Sequence, residues 1–221
     1  MFRSAAVAAL ALFSAICLAQ RDSTLRAAPI TVYTAHESGC PPQVCEPMKA
    51  ELAAIMAPMG FDFQWRALPA RSDHQVSVEL VVVSFKGRCE IESFQSPGFD
   101  AGPLGWTHMS DGEILPFSDV DCDRVRRFIH PLLTGLNHAR RAEKLGRALG
   151  RVLAHEVYHI LTRDTRHGAG GVAKAYYTPA ELLEENFQFE GKETRLLRDG
   201  KARAVREAHE QLQAAGGGGG M

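Results

Sequence analysis

The run His155-Glu156-Val157-Tyr158-His159 holds the residue types best suited to chemistry. Histidines four apart lie on one face of a helix, so both imidazoles can turn toward one metal ion, while the glutamate between them stands alongside without having to bind it. A catalytic zinc takes three protein ligands and keeps one position open for water. His167, in the Gly-rich stretch that follows, is the expected third ligand once the chain reverses after Leu161. On this reading zinc (one ion) draws the pKa of its water from about 15.7 toward about 7, and Glu156 takes the proton and passes it to a leaving amine. Tyr176 and Tyr177 follow closely enough in sequence to offer a phenol to a substrate oxyanion, although packing is the expected work of at least one of them.

Hydrophobic period predicts the elements that must hold these residues. Ile30 to Ala35 alternates as a strand, and Val44 to Met59 repeats at helical spacing through Met48, Leu52, Ile55, Met56 and Met59. Phe61 to Leu68 and Val76 to Phe85 are two further strands, the second with the apolar run expected of a central position. Leu104 to Met109 and Glu113 to Phe117 flank Ser110-Asp111-Gly112, which signals a hairpin at the sheet edge. From Asp121 the pattern turns helical, breaks near Pro131 and resumes as a long amphipathic helix over Ala139 to Leu161. Gly146, Gly150 and Ala154 recur every four residues there, a small-residue stripe that would let this helix pack closely against the sheet. Arg163 to Gly171 is a loop. Thr178, Pro179 and Glu181 have the pattern of a capping box opening another helix, and Lys192 to Gln213 is a last helix interrupted near Gly200.

Length and composition fit one folded domain: 221 residues, 45% hydrophobic, 23% charged, with a formal net charge of -1. That balance offers no broad cationic surface, so nucleic acid is not an expected partner. Residues 1–19 have a basic residue at Arg3, an apolar stretch and a small residue at Ala19, the pattern of a secretory signal peptide cut before Gln20. No membrane association is expected after that cut. Residues 20–29 are then a linker, 30–215 a single domain, and 216–221 a flexible Gly-rich tail. Removal of the leader takes Cys17 and leaves Cys40, Cys45, Cys89 and Cys122. An even set in an exported chain reads as two disulfides. Three pairings are open; Cys40 with Cys45 closes a short loop through Pro41 and Pro42, which leaves Cys89 for Cys122.

The zinc-binding run resembles the metzincin zinc proteases, whose active-site helix ends in His-Glu-x-x-His-x-x-Gly-x-x-His and is followed by a turn containing methionine. Here Thr162 and Thr165 stand where that family has Gly and the third His, the histidine comes two residues later at His167, and no methionine lies between His167 and Met221. Gly171, Val172 and Ala173 fall where the methionine turn would be. In gluzincin-like proteases a downstream glutamate completes the site, which makes Glu184 or Glu185 the rival third ligand. The resemblance implies an α+β fold with a mixed, twisted sheet against a zinc-bearing helix. It also implies an exported, secreted or periplasmic zinc metallopeptidase acting on a peptide or protein, to which the substrate could add as a strand beside Leu104 to Met109. The alternative is an exported zinc-binding domain without turnover.

Overall fold

Strand β1 (Ala28–His36) occupies an inner position of the sheet, with Ala28, Ile30 and Val32 fully buried. It pairs in parallel with β2 (Phe61–Ala67) on one side and β3 (Leu80–Lys86) on the other. β3 pairs in parallel with β5 (Glu113–Asp121), and β4 (Gly105–Ser110) closes the order β2-β1-β3-β5-β4 as an antiparallel edge. The computed structural model describes residues 27–68, 76–91 and 102–216. The leader and the end of the tail lie outside them, as does most of the linker, although β1 begins two residues inside the range assigned to that linker.

The fold is α+β with a five-stranded mixed sheet, as the resemblance implied. The hairpin forms at the expected edge. Asp111 and Gly112 both take positive φ, 51° and 81°, the backbone of a two-residue turn whose twist matches the strands it joins. The third strand starts at Leu80, later than the Val76 expected from its apolar run.

Helix α1 (Pro42–Met56) buries Val44, Met48, Leu52, Ile55 and Met56, and a short 3₁₀ turn, Ala57–Met59, ends at Gly60 with φ 83°. Helix α2 (Cys122–Ile129) is capped by Asp121, whose side chain accepts from the Arg124 amide, and stops before Pro131. Helix α3 (His138–Thr162) is capped by Asn137, and all residues from Ala148 to Leu161 are buried. A helix covered on every side is a core element, and its polar residues are then held by specific partners.

The small-residue stripe on α3 meets α1 and not the sheet. A Cβ at Gly146 would sit 2.4 Å from the Val44 carbonyl, and one at Gly150 would sit 2.6 Å from that of Met48. The close approach to the sheet is made by a glycine on the strand: a Cβ at Gly105 would lie 2.9 Å from Val152 and 3.1 Å from Glu156. Larger side chains on α3 can therefore face β4.

No helix forms after Thr178. The capping box closes, with the Thr178 amide on Glu181 Oε2 at 2.6 Å and the Glu181 amide on Thr178 Oγ1 at 3.2 Å, but the chain then runs in turns. The fully buried guanidinium of Arg151 takes the carbonyls of Glu181 and Glu184 at 2.9 and 2.6 Å, leaving them no helical partners downstream. The last helix is interrupted where expected: α4 (Gly191–Arg195) passes through a π-helical stretch, Leu196–Ala202, into α5 (Arg203–Gly216).

Both expected disulfides are present, Cys40–Cys45 and Cys89–Cys122, with Cα separations of 5.9 and 4.9 Å. Among the described residues no helix is long and apolar enough to cross a membrane.

Candidate metal centre

Arg163 ends α3 in the left-handed conformation, φ 51°, and turns the chain back along the helix. That reversal brings His167 over His155 and His159, with ring centroids 5.2 and 4.9 Å away. One nitrogen from each of the three imidazoles lies within 4.8 Å of the others. His155 and His159 are buried and His167 is exposed, so the cluster has a closed side and an open one.

The orientation of the two helical rings is fixed from behind. His155 Nδ1 lies 2.8 Å from the Val172 carbonyl and His159 Nδ1 lies 2.6 Å from that of Asp164, so in each ring Nδ1 is the donor. Both Nε2 atoms then present lone pairs, 3.0 Å apart. Two lone pairs at that distance repel, and a cation between them and His167 converts the repulsion into ligation. Burial depresses the His155 pKa to about 4, with the Val172 bond opposing and the neighbouring imidazoles adding to the fall. His159 is lowered as well, again mainly by burial. Neutral imidazoles are the form that binds metal. The donor set, its tautomers and its burial fit a metal ion.

Both carbonyls come from the segment after the helix. Asp164 is held by Arg166, whose amide and guanidinium bond its carboxylate. Val172 sits in a 3₁₀ turn, Gly171–Ala173, tied by the Gly168 amide to the Ala173 carbonyl at 2.7 Å. Gly171 has φ 59°, and a Cβ there would lie 2.1 Å from the Gln188 carbonyl, so only glycine fits.

Glu156 is buried on the side of α3 that faces the edge strand, where Thr107 Oγ1 donates to its Oε2 at 2.7 Å. Burial raises its pKa to about 7, against the Thr107 bond, which pulls it down. The carboxyl thus stands one residue along the helix from His155, with its pKa brought near neutral by burial.

Other expected participants are placed differently. The Tyr177 phenol donates to the Val172 carbonyl and sits 2.8 Å from His155 Nδ1, on the rear of the ring, where burial pushes its pKa well up. Of the two roles open to it, packing and a substrate oxyanion, it takes the first and braces the His155 ring. Tyr176 is 84% exposed. Glu184 and Glu185 are exposed and stand outside the cluster, because Arg151 anchors their turn through the backbone. Thr107 and the carbonyls of Asp164 and Val172 escaped the sequence reading; the alternation in β4 was the one available signal for Thr107. Comparison with protein-family models and with curated proteins finds no match to this chain, so the reading of function rests on the site itself.

Proposed function

We propose that this protein is an exported, metzincin-like zinc metallopeptidase. The observation that carries the reading is a three-histidine cluster with a buried carboxyl one residue from its first member and hydrogen-bonded to the edge strand. His155, His159 and His167 would hold zinc, leaving one position for substrate or water. When bound, zinc supplies Lewis acidity at the scissile carbonyl. Glu156 accepts the proton of the attacking water and delivers it to the leaving amine, a role its raised pKa suits near neutral pH. The turn at Gly171–Ala173 takes the place of a methionine turn by presenting the Val172 carbonyl to His155.

Among the described residues β4 pairs with β5 only and is antiparallel to it, so its outer edge could take a peptide added as a further strand. A peptide lying there would run beside Thr107, and so beside the Glu156 carboxyl. Export is supported by the leader pattern of residues 1–19 and by two disulfides.

Metal analysis of the purified chain and its activity on a mixed peptide library test the proposal. Expected are one zinc per chain and hydrolysis that is lost on chelation and restored by zinc. Zinc without hydrolysis would leave the non-catalytic zinc-binding domain; absence of tightly bound metal would overturn both.

A further inference from the structure

A second set of metal-ligating side chains lies away from the histidine centre, where β1 leads into α1. His36 is the last residue of β1, and its ring stacks on Phe85 at 4.5 Å and 7°, which fixes its plane. Its Nδ1 is buried and has no hydrogen-bond partner among the described residues. An orphaned buried nitrogen is costly unless something ligates it. One nitrogen of the His36 ring lies within 4.8 Å of the sulfurs of Cys40 and Cys45, which are joined to each other. Cys45 is buried in the first turn of α1.

We propose that His36, Cys40 and Cys45 form a metal site gated by the Cys40–Cys45 disulfide, absent when the bond is closed and able to take a thiophilic ion of the zinc class when it is reduced. Reduction by a dithiol proceeds by attack of its thiolate on one sulfur, cleavage of the S–S bond and release of the mixed disulfide by the second thiolate. Two electrons and two protons pass to the cysteines, and the dithiol leaves as its own disulfide. Metal binding then displaces a proton from each thiol. Tetrahedral ligation, with metal–sulfur bonds of about 2.3 Å, needs the sulfurs about 3.8 Å apart, a spacing that a Cα separation of 5.9 Å accommodates. The site is independent of any catalytic role for the histidine centre.

Titration of the full chain with Co(II), before and after treatment with a metal-free phosphine reductant, tests this. Oxidised protein is expected to take Co(II) without a sulfur-to-cobalt charge-transfer band. Reduced protein should take an additional equivalent and show that band in the near ultraviolet. The Cys40→Ser/Cys45→Ser variant should lack the band, whatever the state of Cys89 and Cys122. His36→Phe, which keeps a ring on Phe85, should bind this second ion at least about tenfold more weakly. No band in the reduced protein, a band that survives in the double-serine variant, or unchanged affinity in His36→Phe would each overturn the proposal.

Discussion

Thr107 Oγ1 and Glu156 Oε2 are 2.7 Å apart, a hydrogen bond that joins the edge strand to the carboxyl beside the histidine cluster. The bond favours the ionised carboxylate, while burial favours the neutral acid. Thr107→Val keeps the shape and removes the donor, so the Glu156 pKa rises further. The acidic limb of the kcat/KM profile should move to higher pH, with activity below the limb falling about tenfold for each unit of movement. A limb that stays in place would remove Thr107 from the base's surroundings.

Glu156→Gln keeps the size and a hydrogen-bonding group but cannot take a proton. Zinc content and fold should be preserved while peptide hydrolysis drops about 10² to 10⁴ fold, the usual worth of a general base. Loss of zinc in this variant would make Glu156 a ligand, and full activity with zinc retained would end its catalytic assignment.

Replacing both His155 and His159 by Ala should abolish tight zinc binding. His167→Ala should weaken it by more than the ~10–100-fold that loss of an outer hydrogen-bond partner costs. Dialysis against a chelator of known affinity, followed by metal analysis, gives the order; undiminished zinc in the double variant would displace the centre altogether.

The metal-free protein has a pH signature with opposed parts. His155 has a folded pKa near 4, below its unfolded value of 6.5, so its contribution to stability is lost as pH falls from about 6.5 to 4. Glu156 has a folded pKa near 7, above its unfolded value of 4.5, so its contribution is lost as pH rises from about 4.5 through 7. Between about 4.5 and 6.5 the two slopes oppose each other, each worth on the order of 3 kcal/mol across its range. His159, also lowered by burial, adds to the rise, so metal-free Glu156→Gln should gain stability with rising pH more steeply than metal-free wild type in urea unfolding. Parallel curves for the two proteins would contradict the assignment.

Gly171→Ala places a methyl group against the Gln188 carbonyl at a φ of 59°. Destabilisation of about 1–3 kcal/mol is expected from the strained backbone, together with weaker zinc binding, because the displaced turn carries the carbonyl that orients His155. Thermal melts with and without zinc separate the two effects.

What could be read from the sequence was local. His155 and His159 follow from helical period, and the hairpin from Asp111-Gly112, because each signal depends on residues a few positions apart. Distant pairings left no such trace. Arg151 reads as one more polar residue of an amphipathic helix, yet its guanidinium stops a helix from growing beyond Thr178, about thirty residues away, and holds the turn that keeps Glu184 outside the histidine cluster. The glycine stripe on α3 announced a close approach, but period alone does not name the partner, and α1 holds that position instead of the sheet. Tyr177 was one of two candidates for a substrate oxyanion and braces His155 from behind, since spacing in sequence fixes proximity and not direction.

Among the described residues three of the four strand pairings are parallel, and β4–β5 is the one hairpin. Parallel neighbours must close a loop before any contact rewards them, so β1 has to find β3 across roughly fifty residues while the hairpin forms almost at once. The strand that supports the Glu156 carboxyl can thus exist early as part of a ribbon with nothing to lean on. The Thr107–Glu156 pairing would then be a late product of folding, acquired only after the parallel core has assembled and α3 has docked against it.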